Sequence, residues 1–170
     1  MIGEPLFDAN SIAARVRDLG TEISRDYAGT VPLLVGMLAA AAPFLADLSR
    51  TLEIACQLDV IAVNRYGEGD GIAFQKDTAI PVTGRHVILV DDTIDTGLTL
   101  QYVRKTLLAR EPASLAVCTL LDRPHRRIAE IEVKYRGFEA PDVYLVGYGL
   151  DYFGRYRELP ALYAHGTWPK

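Results

Sequence analysis

The chain has 170 residues, 49% of them hydrophobic, and a formal net charge of −4. That length suits one domain with a sizeable core, and so apolar a composition excludes intrinsic disorder. The acidic balance gives no general footprint for nucleic acid, the largest basic cluster being His125-Arg126-Arg127. The richest apolar run, Val31 to Leu48, is broken by Pro32, Pro43 and Asp47 and is too interrupted to span a membrane.

Residues 8–27 read as an amphipathic helix, because Ile12, Val16, Leu19 and Ile23 recur at helical spacing. Asn10 or Ser11 is placed to cap it. Gly29 and Pro32 lead into a short buried strand, Leu33 to Met37. Past Ala39 to Ala42, Pro43 opens a helix carrying Phe44, Leu45, Leu48 and Leu52. Leu58 to Asn64 reads as a second strand. Arg65-Tyr66-Gly67-Glu68-Gly69-Asp70-Gly71 then reads as a mobile loop or hairpin, with Ile72 to Lys76 returning as a short strand. After the turn marked by Pro81 and Gly84 comes the central strand. Leu100, Val103 and Leu107 mark one face of a helix from Leu98 to Arg110. Leu115 to Leu121 is another buried strand, ending at Asp122-Arg123-Pro124. Glu132 to Phe138 is a strand, Ala140-Pro141-Asp142 a turn, and Val143 to Val146 a last strand. Gly147, Gly149 and Asp151 open the final loop. Strands alternating with helices in this way predict an α/β fold with a parallel, doubly wound sheet.

Cys56 and Cys118 lie far apart with no metal spacing, which predicts small core hydrophobes in a reducing compartment. No signal-peptide pattern follows Met1, and a cytoplasmic location is expected. His86, His125 and His165 show no ligand spacing and read as surface residues. Trp168 reads as a packing or interface residue.

The central stretch carries the chemistry. His86 to Leu100 reads HVILVDDTIDTGLTL: the apolar run Val87 to Val90 meets Asp91 and Asp92, followed by Thr93, Ile94, Asp95, Thr96, Gly97, Leu98 and Thr99. A β-branched run ending in acids and a Gly/Thr turn predicts a buried parallel strand feeding a loop and then a helix. Open α/β sheets bind ligands at that end of their strands. Hydroxyls and backbone N–H groups at a helix start suit a phosphate. Two adjacent carboxylates suit hydroxyls, or a hard cation held largely through water. A Walker B strand also ends in acids, but the chain contains no glycine-lysine phosphate loop to accompany one.

This stretch resembles the 5-phosphoribosyl-1-pyrophosphate (PRPP) loop of type I phosphoribosyltransferases, two acids at a strand end followed by Asp-Thr-Gly-x-Thr. The resemblance runs over roughly residues 30–160 through Leu34-Val35-Gly36, Phe44 to Leu48, Cys118 to Asp122, Gly137-Phe138-Glu139-x-Pro141-Asp142 and Val146-Gly147-Tyr148-Gly149-Leu150-Asp151-Tyr152. The last segment is similar to the hypoxanthine-guanine branch rather than the adenine, orotate or uracil branches. The resemblance implies one domain over residues 1–170. Its core would span about 30–140, with a small hood over the carboxyl edge formed by the N-terminal helix and about 140–170. A homodimer or homotetramer is expected.

The implied activity is transfer of the 5-phosphoribosyl group from PRPP to a 6-oxopurine, hypoxanthine or guanine, with release of pyrophosphate, dependent on Mg²⁺, in purine salvage. By the same match Asp91 and Asp92 take the ribose hydroxyls and hold metal indirectly. Asp95 sits near the reacting purine nitrogen as catalytic base, and Thr96 to Thr99 cradle the 5′-phosphate. Tyr144 stacks on the purine, carbonyls around Leu145 and Asp151 accept from a guanine amino group, Asp151 helps to hold a second Mg²⁺, and Arg157 contacts pyrophosphate. Three positions depart from the family pattern. Ala39-Ala40 stands where the family has a Lys-Gly pair against pyrophosphate. Arg65-Tyr66 replaces Ser-Tyr in a shorter catalytic loop, where Arg65 is expected to replace the missing charge. Arg123 replaces the lysine that donates to the purine O6. These departures keep two alternatives open: a transferase of the same fold acting on an unusual heterocycle in a specialised pathway, and a non-catalytic PRPP or nucleotide sensor.

Overall fold

Side chains that alternate across one sheet build two separate apolar layers. The computed structural model describes residues 3–66 and 71–166. Its main sheet has six strands: β1 (Leu33–Met37), β2 (Gln57–Tyr66), β3 (Gly71–Lys76), β4 (His86–Ile94), β5 (Ser114–Asp122) and β6 (Tyr135–Glu139). The spatial order is β3-β2-β1-β4-β5-β6, parallel throughout except for β3, which returns antiparallel beside β2. Leu34, Ile88, Val90, Cys118 and Leu120 face one side, against α1 (Ala9–Asp26) and α2 (Ala42–Thr51). Leu33, Val35, Val87, Leu89 and Val117 face the other, against Leu100, Val103 and Leu107 of α3 (Leu98–Leu108). Burying such side chains stabilises the fold by about 1.5–3 kcal/mol each. Helices on both faces of the sheet give the doubly wound architecture that the alternation predicts.

The strand order reverses between β1 and β4. The chain moves outward from β1 to β2 and β3 on one side, and from β4 to β5 and β6 on the other. That crevice is where open α/β sheets place ligands. Gly36 of β1 lets α2 approach closely, since a Cβ there would lie 2.6 Å from Leu45 Cδ2.

Several boundaries differ from the sequence expectation. The cap of α1 is Asp8, whose Oδ1 accepts from the Ser11 N–H at 2.9 Å, so Asn10 and Ser11 lie within the first turn. The helix packs on α2 and the sheet, placing Ile12, Val16, Leu19 and Ile23 in the core cluster that also holds Leu145, Tyr148 and Leu162. From the N-terminal segment, Leu6 and Phe7 reach the hood, through backbone hydrogen bonds to Leu162. Strand β4 continues through Asp91 and Asp92 to Ile94, because its ladder with β5 persists as far as Ile94 opposite Asp122. Strand β6 begins at Tyr135 rather than Glu132. The segment before it is tied elsewhere, with the Ile128 and Ala129 N–H groups both donating to the Thr96 carbonyl at 2.9 Å. The expected last strand shortens to β7 (Leu145–Val146) and leaves the main sheet to pair antiparallel with β8 (Tyr163–Ala164). His86 and His165 are half-buried rather than on the surface, and only His125 is exposed. Residues 67–70 of the expected mobile loop, and Trp168, lie outside the described residues. Among those described, no helix is long and apolar enough to cross a membrane.

Candidate active site

The acid pair lies at the carboxyl end of β4, beside the loop after β1. Gly36 pairs with Val90, so the chain leaves β1 through Leu38, Ala39 and Ala40 next to Asp91. Burial, then the neighbouring Asp92 charge, push the Asp91 carboxyl well above the usual carboxylate range. Burial raises the Asp92 carboxyl to about 6, opposed by hydrogen bonds and by the positive charge of Arg157. The Asp92 N–H donates to Asp91 Oδ1 at 3.0 Å, which fixes the first carboxylate against the backbone of the second.

Beyond the pair the chain turns sharply into α3. Gly97 adopts φ +79°, a left-handed value that L side chains rarely take. Thr96 Oγ1 lies 3.5 Å from the Leu98 N–H, while the Leu98 side chain points outward and is 43% exposed. Asp91, Thr93, Ile94, Thr96, Gly97 and Thr99 line a cavity of about 110 Å³ at the helix start. Hydroxyls, N–H groups and the positive end of the helix dipole converge there, a fit for one phosphate group.

Asp95 is held from three directions. Arg123 Nη1 donates to its Oδ1 at 3.0 Å, Arg126 Nε lies 4.0 Å from the same oxygen, and Arg127 Nε donates to its carbonyl at 3.1 Å. Arg123 is buried, and its Nη2 donates to the Val143 carbonyl at 2.9 Å. One guanidinium fork thus ties Asp95 to the residue before Tyr144. A lysine ammonium has no such planar fork.

The hood closes the opposite side. Arg157 donates through Nη1 to the Gly149 carbonyl at 2.6 Å and pairs through Nη2 with Asp151 Oδ1 at 2.8 Å. Asp151 Oδ2 accepts from the Gly154 N–H at 2.6 Å. The Tyr144 hydroxyl donates to the Asp151 carbonyl at 2.6 Å. Gly149, at φ +99°, lies directly against the loop after β1, where a Cβ would stand 2.0 Å from the Ala40 carbonyl oxygen. Tyr148 fastens this turn to α2 by donating to Asp47 Oδ2 at 2.7 Å.

Residues 4–152 match the phosphoribosyl transferase domain family. The chain belongs to that family. It is 40% identical to the hypoxanthine phosphoribosyltransferase of Escherichia coli (strain K12) over 163 residues, covering 92% of each chain. It is 39% identical to the hypoxanthine-guanine phosphoribosyltransferase of Bacillus subtilis (strain 168), covering 94% of this chain and 91% of the relative. A crystal structure of a hypoxanthine-guanine phosphoribosyltransferase from Bacillus anthracis superposes with a TM-score of 0.94 at 33% identity, covering 97% of this chain and 99% of that one. A Staphylococcus aureus hypoxanthine phosphoribosyltransferase superposes with a TM-score of 0.92 at 34% identity, covering 96% of this chain and 91% of that one.

Most positions singled out in the sequence of this phosphoribosyl transferase therefore meet around one crevice. Asp91 to Thr99 and Ala39-Ala40 form its sheet side. Tyr144, Asp151 and Arg157 form its hood side, and Arg123 bridges the two. Leu145 is buried in the core, leaving only its backbone to face a ligand. Arg65 and Tyr66 sit in the backbone of β2, and their side chains lie outside the described residues.

Sequence reading missed the clamp behind the loop. Asp122, at the end of β5, is 1% exposed and pairs with Arg127 through one oxygen and with Arg136 Nε through the other, the latter at 2.7 Å. Arg127 passes that anchorage on to the Asp95 carbonyl. The available signal was the basic run directly after β5, which leaves the sheet at the same edge as the acid pair.

Proposed function

We propose that this phosphoribosyl transferase moves the 5-phosphoribosyl group of PRPP to a 6-oxopurine, hypoxanthine or guanine, releasing pyrophosphate in purine salvage. The observation that carries this reading is the Arg123 fork. It joins the carboxylate next to the phosphate cradle to the wall where a base would lie. The names of the relatives support the same substrate class.

In this reading the purine nitrogen forms a bond to C1′ while the C1′–O bond to pyrophosphate breaks, and the electron pair leaves with the pyrophosphate. Positive charge grows on the ribose ring, which the Asp91 and Asp92 carboxylates stabilise from the hydroxyl side. The proton on the reacting nitrogen passes to the Asp95 carboxylate, which Arg123 and Arg127 hold in place. Thr96 to Thr99 fix the 5′-phosphate. Arg157 supplies positive charge beside Asp92, where Ala39 offers none.

The donor set fits Mg²⁺. Asp91, Asp92 and Asp151 offer hard oxygens, and the adjacent Asp91 and Asp92 carboxylates, both raised by desolvation, would be relieved by a cation. Among the described residues no group of three or more His, Cys, Asp or Glu side chains converges on a common point. A cation here would therefore take most of its ligands from substrate oxygens and water. When bound it neutralises charge on the leaving pyrophosphate.

The test is product formation from PRPP and Mg²⁺ with hypoxanthine, guanine, xanthine and adenine offered separately, read by chromatography. Conversion of hypoxanthine or guanine is expected, falling about 10²–10⁴-fold in Asp95→Ala. Binding of PRPP without conversion of any base would overturn the reading in favour of a sensor.

A further inference from the structure

The wall that faces Asp95 carries a hydroxyl beyond what stacking needs. Tyr144 is held at both ends. Its carbonyl accepts from the His165 N–H at 2.8 Å, and its hydroxyl donates to the Asp151 carbonyl at 2.6 Å. Tyr152 meets its ring edge-on, with centroids 5.8 Å apart at 77°. The ring cannot swing without breaking one of these contacts.

The two ends of this ring have opposite hydrogen-bonding character. At the backbone end, the Val143 carbonyl is engaged by the Arg123 fork, a concentration of donors. At the hydroxyl end lies the Asp151 carbonyl, an acceptor. A 6-oxopurine laid on the ring with its O6 toward Arg123 turns its C2 edge toward that carbonyl. An amino group at C2 needs an acceptor there, whereas a bare C2–H does not.

We infer that Tyr144 selects against a C2 amino group, favouring hypoxanthine over guanine, because its hydroxyl occupies the Asp151 carbonyl that the amino group would use. This rests on the 6-oxopurine reading above. A carbonyl oxygen has two lone pairs, but the tyrosine already holds one of them, so the amino group must share the oxygen or displace the half-buried hydroxyl that donates to it.

The experiment compares kcat/KM for hypoxanthine and for guanine, with PRPP and Mg²⁺, in the full chain and in Tyr144→Phe. The quantity read is the guanine-to-hypoxanthine ratio, so any change common to both bases cancels. In the unaltered chain the ratio is below one. In Tyr144→Phe it rises about tenfold, the size expected from freeing one partly buried acceptor. Calorimetric affinities for GMP and IMP give the same ratio without turnover and are expected to shift in the same direction. A ratio above one in the unaltered chain, or one that Tyr144→Phe leaves unchanged, overturns the inference while the 6-oxopurine reading stands. An unaltered chain that converts neither base and binds neither nucleotide overturns both.

Discussion

Aspartates are treated in opposite ways in the scaffold and at the end of β4. On the scaffold side, the Arg110 guanidinium beside Asp77 holds its carboxyl below the usual range. Burial pushes Asp59 up, but the N–H groups of Ile80 and Val60 and the Lys76 ammonium outweigh it and leave the group lowered. Asp122 has a guanidinium on each oxygen. At the site, Asp91 is buried and Asp92 beside it is half-buried, and desolvation raises both. The scaffold completes its own charge pairs, whereas the crevice leaves a demand for positive charge and hydrogen-bond donors that a ligand can meet. Part of the binding free energy is thus set up in advance as folding free energy not gained.

The largest effect expected from this contrast is at Asp122. Asp122→Ala strands two guanidinium groups, one of them mostly buried, and a loss of about 3 kcal/mol is expected. In a chain of this size that is roughly 6–12 °C in thermal midpoint. Because Arg127 also loses its anchor, turnover falls further than the unfolded fraction accounts for. A midpoint within a degree of the unaltered chain would break the contrast.

Asp92→Asn is expected to act in the opposite sense. Removing a charge that Arg157 only partly offsets raises the thermal midpoint of the unliganded chain at pH 7.5, while PRPP affinity falls. The pH dependence has the same origin. An acid raised from 3.8 to about 6 in the folded state binds its proton more tightly there than when unfolded. Its contribution to stability is therefore present below pH 4 and is lost as pH rises through 6. The lowered scaffold acids contribute above pH 4, and that contribution is lost as pH falls through their folded values. Denaturant titrations of the unaltered chain and Asp92→Asn between pH 4 and 7 separate the two, since the loss between pH 4 and 6 is smaller in the variant. The smallest effect belongs to Asp77→Asn. Its pair with Arg110, at 2.6 Å, is partly open to solvent, so no more than about 1 kcal/mol is expected and it should weaken in salt.

How far the sequence reveals this molecule follows the same division. Strand β1, the two apolar faces and the turn from Asp95 to Thr99 are legible because their signals are local: an unbroken apolar run, a helical stripe, a Gly/Thr turn. The end of β4 is not, because Asp91 to Ile94 stay extended only through pairing with β5. Nor is the hood, whose two-residue strands carry no periodicity and whose turns rest on single contacts such as Tyr148 to Asp47. The Asp122 clamp stayed hidden because Arg127 and Arg136 come from separate stretches of chain that only the folded sheet brings to the same carboxylate. Arg123 was singled out for its reach toward the base. Its tie to Asp95 required the geometry.

Gly149 brings the hood and the loop after β1 into contact with no side chain between them. Two backbones that touch directly leave no slack between the parts they join. Arg157, which donates to the Gly149 carbonyl at 2.6 Å, sets its positive charge against Asp92, so the turn that touches the Ala40 carbonyl also holds the charge beside the acid pair. A methyl group at position 149 would collide with the Ala40 carbonyl oxygen and force this turn, with the Arg157 it holds, off the loop after β1.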